Sequence, residues 1–294
     1  VQVPPGFLTM PRWWHDEPGR AWLEELPGLV AARLREWGLT ADGAPWHGSN
    51  ALVLPVRRGE EPLALRLSPP GDDVAAEAAA LLWWDGRGTV LLVEADVPAR
   101  ALLLERLDGS HTLRREPVEW SVEVLATLMR ELAVPAPGTA LSTAEIAAED
   151  AASFERRWQA VGGPTPRSQL TRAVAAAREL AATDPGGDAV DGDLHADQVL
   201  RGRRTPWLVV DPVLLRGDRE HDLARVLWTR LDELPRDADV RRAVATAVTV
   251  AEVPRERAEA WLVVRSMSYL LWGLERGLTE DPVRCRRLLD LFAR

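Results

Sequence analysis

The sequence predicts an α+β fold in two unequal lobes, a smaller β-rich N-terminal lobe over residues 1–107 and a larger, mostly helical C-terminal lobe over 108–294. Three observations predict it. Short apolar runs bounded by Gly and Pro recur before residue 110 at strand length. Beyond residue 110 the apolar positions recur at helical spacing, separated by Pro and Gly breaks. One strand-like stretch interrupts those helices, around Val199 and residues 208–210, and it ends on Asp211.

The first lobe opens with residues 19–37, whose Trp22, Leu26, Leu29, Val30 and Leu34 share one helical face, with Pro27 expected to divide them into two short helices. Strands at 51–57 and 63–67 follow, joined by a turn over 58–62. A helix at 72–84 has Asp72 and Asp73 at its start, where the helix dipole favours anions. Strands at 90–94 and 101–105 lead into Leu107-Asp108-Gly109. The second lobe then reads as helices at 118–132, 143–161, 167–182, 218–234, 237–250 and 255–276.

Composition bounds the function. At 294 residues with 46% apolar content, the chain can bury a core large enough for two lobes or for one large domain. A net charge of −9 disfavours a nucleic-acid backbone as partner and suits a cationic one. The single cysteine, Cys285, excludes an intramolecular disulfide and a thiolate metal site. With no run long enough to span a membrane and no signal-like start, the expectation is a cytoplasmic protein, a monomer or weak dimer. All 36 basic residues are arginine, so any role usually taken by lysine falls to arginine.

The chemistry concentrates in 191–230. Asp193 opens a polar loop, Gln198 follows five residues later, and the apolar run 207–210 stops at Asp211. An Asp, four spacers, an amide and then a strand-end Asp is the pattern that phosphoryl transfer uses to orient a hydroxyl nucleophile and hold magnesium. Asp193 is the candidate catalytic carboxylate. Gln198 and Asp211 are the candidate Mg2+ ligands, one offering an amide oxygen and the other a carboxylate. In the first lobe Arg66 stands in the second hairpin strand, where a cation reaches nucleotide phosphates, with Glu77 on the next helix placed to pair with it; a solvent-facing Arg66 is the bland alternative. Gly48, Ser49 and Asn50 precede the hairpin and could lay backbone N–H groups over phosphates. Asp218 reads as an N-cap, and Asp222 as a brace for the catalytic loop.

With these residues in view, the chain resembles the aminoglycoside phosphotransferase superfamily, and more narrowly its streptomycin 6-phosphotransferase and hydroxyurea phosphotransferase branch. The resemblance rests on Gly19-Arg20-Ala21-Trp22, Leu65-Arg66-Leu67, Trp84-Asp85-Gly86-Arg87-Gly88, the string from Leu102 to Ser110, Gly192-Asp193-Leu194-His195, the string from Pro206 to Pro212, and Gly217-Asp218. It implies a bilobal protein-kinase-like fold binding ATP between its lobes. Arg66 and Glu77 would stand in the family's Lys–Glu positions, and the backbone of Glu105 to Leu107 would meet adenine. Three positions depart from the family pattern: its His-Gly-Asp is Asp191-Gly192-Asp193, its metal-binding Asn is Gln198, and its phosphate-binding Lys is Arg66.

The expected function is an ATP- and Mg2+-dependent phosphotransferase moving the γ-phosphate to a hydroxyl of a small, cationic or hydroxylated, antibiotic-like substrate. Two alternatives stand beside it: an impaired kinase fold that binds nucleotide or antibiotic without turnover, and a sugar or metabolite kinase of a biosynthetic pathway.

Overall fold

A computed structural model describes residues 2–14, 16–48 and 51–293. The chain divides into two units, Val1–Gly109 with Arg201–Leu208, and Ser110–Leu200 with Val209–Arg294.

The first unit begins with helices α1 (Pro5–Leu8) and α2 (Glu17–Glu36). Asp16 caps α2 by accepting the Gly19 N–H at 2.9 Å. Contrary to the sequence expectation, Pro27 does not divide this helix, which runs through it for 20 residues. A proline removes one intrahelical donor, and the buried face of Trp22, Leu23, Leu26 and Val30 outweighs that loss. These side chains share one core with Phe7, Trp13 and the sheet residues Leu52, Leu54, Leu65 and Leu103. Phe7 meets the Trp13 ring edge-on at 5.4 Å.

The strands are β1 (Thr40–Ala41), β2 (Trp46–His47), β3 (Leu52–Arg58) and β4 (Glu61–Leu67), then helix α3 (Val74–Trp84), then β5 (Leu92–Asp96) and β6 (Ala101–Glu105). They form an antiparallel sheet in the order β1-β3-β4-β6-β5, with β2 also on β3. Arg58 pairs with Glu61, so the hairpin turns on two residues and is tighter than the sequence suggests. Gly59 makes this possible at φ +61°, in the left-handed region that two-residue hairpins require. Asp73 caps α3 through the Ala76 N–H at 2.9 Å. The segment 201–208 belongs to this unit because Arg204 donates to the carbonyls of Gly86 (2.7 Å) and Thr89 (2.9 Å) and to the Glu105 carboxylate (3.2 Å).

Further along, β7 (Asp108–Thr112) precedes α4 (Val118–Leu132), α5 (Thr143–Ala160) and α6 (Arg167–Ala182), then strands β8 (Ala189–Asp191), β9 (Val199–Arg201), β10 (Trp207–Val209) and β11 (Leu214–Arg216), then α7 (Leu223–Trp228), α8 (Asp237–Ala251), α9 (Arg255–Glu275) and α10 (Glu280–Phe292). A small sheet has the order β10-β9-β7, and β8 pairs antiparallel with β11. In the second unit α5 starts in a capping box, Ser142 accepting the Ala144 N–H while Glu145 accepts the Ser142 N–H. α9 is the centre of the helical packing, with Trp261, Leu262, Val264, Met267, Leu270 and Leu271 buried.

The structure corrects the sequence reading at three places here. The expected helix at 218–234 is broken into a 3-10 turn at Arg219–Asp222, the short α7, and another 3-10 turn at Leu231–Glu233. Arg230 leaves the helical region (φ −125°, ψ 16°) to place its guanidinium on the Glu116 carbonyl at 2.8 Å and the Glu233 carboxylate at 2.6 Å. Helix α10 was not anticipated, since its apolar residues Cys285, Leu288, Leu289 and Leu291 are diluted by arginines and acids. The three-residue strands β8 and β11 were also missed, being too short for any periodicity to show.

Candidate active site

The second unit carries Asp193, Gln198 and Asp211 together. Asp191 ends β8, and its buried carboxylate accepts the N–H of Asp193 at 3.2 Å and of Val213 at 3.0 Å. Burial pushes the Asp191 carboxyl up to about 7, and the nearby Asp193 and Asp211 carboxylates push the same way against those two hydrogen bonds. Gly192 follows, donating to the Val213 carbonyl at 2.8 Å. A Cβ at this position would lie 2.6 Å from Leu215 Cδ1, so the turn needs glycine because the loop passes so close to β11. The chain then reaches Asp193, and His195 starts the 3-10 turn Ala196–Gln198 by accepting the Asp197 N–H.

Both oxygens of Asp193 are engaged. Arg225 Nε donates to Oδ1 at 2.6 Å and Gln198 Nε2 donates to Oδ2 at 3.0 Å, while His195 Nε2 stands 3.8 Å away. Burial alone would lower the Arg225 pKa, and the Asp193 carboxylate together with Tyr269 and Asp281 more than reverses it, so the guanidinium sits above its ordinary value. The Gln198 backbone carbonyl accepts the Val210 N–H at 2.8 Å, which brings the end of β10 alongside. Asp211 follows with φ +58°, a left-handed conformation uncommon for a side-chain-bearing residue, and its carbonyl lies 3.5 Å from Gln198 Nε2.

No group of three or more His, Cys, Asp or Glu among the described residues could hold a metal ion. The donor chemistry nevertheless fits magnesium. Gln198 Oε1 is buried with no hydrogen-bond partner among the described residues, and Asp211, whose backbone carbonyl lies 3.5 Å from Gln198 Nε2, brings a hard carboxylate to the same loop. Magnesium commonly takes one or two protein oxygens and completes its shell with water and phosphate.

The first unit holds Arg66 and Glu77. Arg66 lies on β4 opposite Val53 and Leu102, and forms an ion pair with Glu77 of α3. Both residues are buried, so Arg66 is not the solvent-facing strand residue of the bland alternative. Glu105 ends β6; its N–H goes to the Leu91 carbonyl at 2.9 Å and its carboxylate accepts from Leu91 N–H and Arg204. Leu107 lies in the two-residue link between β6 and β7. Ser49 and Asn50 lie outside the described residues.

Asp218 does not act as the N-cap that its position suggests. Its carboxylate accepts from Arg257 at 2.7 Å through two nitrogens and from the Trp261 indole N–H at 2.7 Å. Asp222 is buried beside His221, 3.3 Å from its Nδ1. Burial holds Asp222 well above the usual carboxylate range, reinforced by Asp191 and Asp193, and burial holds the His221 imidazole well below its usual value. Sequence reasoning missed Arg225. Its only signal was a place on the helix after Asp222, where a solvated arginine is the ordinary reading.

Residues 36–277 match the model of the aminoglycoside/hydroxyurea antibiotic resistance kinase family. The chain belongs to this family. Its relatives include a streptomycin 6-kinase of Streptomyces glaucescens, 37% identical over 96% of this chain and 94% of that protein, and one of Streptomyces griseus, 35% identical over 95% and 93%. A hydroxyurea phosphotransferase of Kitasatospora aureofaciens is 37% identical over 97% of this chain and 84% of its own length. Among solved structures, a thermostable mutant of an aminoglycoside phosphotransferase, in a ternary complex with ADP and hygromycin B, aligns with a TM-score of 0.63. It is 16% identical and covers 90% of this chain and 98% of its own. A choline kinase from Streptococcus pneumoniae aligns with a TM-score of 0.59 at 11% identity, over 90% and 98%. The antibiotic resistance kinase family thus has here an α+β, protein-kinase-like fold, sheet-rich in its first unit and helical in its second.

Proposed function

We propose that this kinase transfers the γ-phosphate of ATP to a hydroxyl of a small, cationic or hydroxylated antibiotic. Asp193 is the carboxylate that holds the acceptor hydroxyl and takes its proton as the oxygen bonds to phosphorus and the bond to the β-phosphate oxygen breaks, releasing ADP. Gln198 and Asp211 would hold Mg2+. That ion, when bound, neutralises charge on the phosphate oxygens. Arg66, steadied by Glu77, would meet the nucleotide phosphates with a planar fork where a lysine would bring a point charge. Ser49 and the backbone from Glu105 to Leu107 would complete nucleotide binding.

The observation that carries this reading is the Asp193 carboxylate, held on a braced loop with Asp211 in a left-handed conformation and an amide oxygen of Gln198 that has no partner among the described residues. Among the three departures from the family pattern, Gln198 still offers an amide oxygen. The relatives' names, streptomycin 6-kinase and hydroxyurea phosphotransferase, support an antibiotic acceptor and set the first panel: streptomycin, hydroxyurea and hygromycin B. The test is mass spectrometry after incubation with ATP and magnesium. A gain of one phosphate on an acceptor, lost in Asp193→Asn, supports the reading, and no gain on any acceptor overturns it.

A further inference from the structure

We infer that Arg225 is a positioning residue for Asp193, committing Oδ1 so that Oδ2 is the oxygen that meets the acceptor hydroxyl; this rests on the function proposed above. The two partners of the Asp193 carboxylate differ in kind. Arg225 Nε approaches Oδ1 at 2.6 Å, a short charge-assisted hydrogen bond. Its guanidinium is also held from behind, lying over the rings of Trp228 at 5.5 Å and Tyr269 at 5.4 Å. Tyr269 is itself sandwiched, stacked on Trp228 at 4.5 Å and on Trp272 at 4.9 Å. That column of three rings from α7 and α9 restrains the plane of the guanidinium.

The partner of Oδ2 is uncharged. Gln198 donates to it at 3.0 Å through a neutral amide, a weaker hold than the cation on Oδ1 that leaves a lone pair of Oδ2 for the acceptor hydroxyl. His195 Nε2, at 3.8 Å, is beyond hydrogen-bond range. One oxygen is thus tied to a packed cation, while the other carries only a neutral amide donor. A carboxylate held at one oxygen presents the other in one orientation, which is the requirement for an in-line proton acceptor.

The opposite role for the same contact would be a latch, with Arg225 occupying the place of the acceptor and slowing the enzyme. The two roles predict opposite signs. Arg225→Met keeps an unbranched stem against the rings and removes the charge, and Arg225→Lys keeps the charge. As a positioning residue, Arg225→Met lowers kcat by about 10- to 100-fold, with the KM of ATP and of the acceptor changed by less than about twofold. Arg225→Lys recovers at least part of kcat, an outcome that loss of packing alone does not give. Thermal melting of both variants checks that each is folded. A kcat in Arg225→Met equal to or above that of the wild type overturns the inference and leaves the functional reading intact. A wild type that phosphorylates no acceptor overturns the functional reading, and this inference with it.

Discussion

The Asp191 carboxylate accepts the backbone N–H of Val213 at 3.0 Å and that of Asp193 at 3.2 Å, so one buried group ties the end of β8 both to the segment entering β11 and to the candidate catalytic residue. Its second oxygen is buried without a partner among the described residues. The acid form suits it, since only Oδ1 is needed as an acceptor. Its pKa, near 7 when folded, exceeds the unfolded value of 3.8, so the folded chain binds the extra proton between those limits. Stability from this group is present below about pH 4 and is lost as pH rises toward 7. Asp191→Asn imitates the acid form permanently. Relative to wild type it gains stability as pH rises from 4 to 8, by up to roughly 4 kcal/mol. Urea denaturation of both proteins at several pH values checks this, and a pH-independent difference would refute it.

The buried Arg66–Glu77 pair makes a second prediction. Removing one partner strands a charge away from water, so Glu77→Leu destabilises the chain by about 3–5 kcal/mol. The double change Arg66→Met with Glu77→Leu removes both charges and recovers most of that loss. Denaturation midpoints of the single and double variants decide the matter; equal losses in both would show that the pair itself is not the cause.

Asp218 is expected to outrank its indole partner. Asp218→Ala leaves the Trp261 N–H without its acceptor and removes the carboxylate partner of Arg257, which retains Thr183, at a cost of about 3–5 kcal/mol. Trp261→Phe deletes one donor and some packing volume while the Arg257 pair persists, costing about 1–3 kcal/mol. Thermal unfolding should therefore rank Asp218→Ala as the less stable variant, and the reverse order would refute the assignment.

Asp211→Ala tests the metal reading apart from turnover. ADP binding measured by calorimetry with and without magnesium should show a metal-dependent gain in the wild type and none in this variant. A gain of equal size in both would exclude Asp211 as a ligand.

Much of the fold was legible because amphipathic helices and short apolar strands announce themselves by period. α4 and α6 were placed to the residue, and the hairpin of β3 and β4 to within three residues. The family was legible from strings that carry backbone and chemical demands together, such as Gly192-Asp193 and the run into Asp211. Two of the failures were tertiary in origin. Pro27 sits inside α2 because a buried face compensates for a lost hydrogen bond, and the helix expected after Asp218 breaks where Arg230 turns to buried carbonyls.

By itself, the sequence determined the division into strand-rich and helix-rich parts and the spacing of Asp193, Gln198 and Asp211, because period and spacing are properties of the chain alone. The partner of Asp193 was decided only by tertiary structure. Arg225 lies 32 residues away on another element, and nothing local distinguishes it from the chain's other arginines. The same holds for Asp218, whose neighbours in sequence suggest a cap and whose neighbours in space are an arginine and a tryptophan of α9. A charge takes its role from whatever packing brings within 3 Å of it, and that distance is set by the folded core.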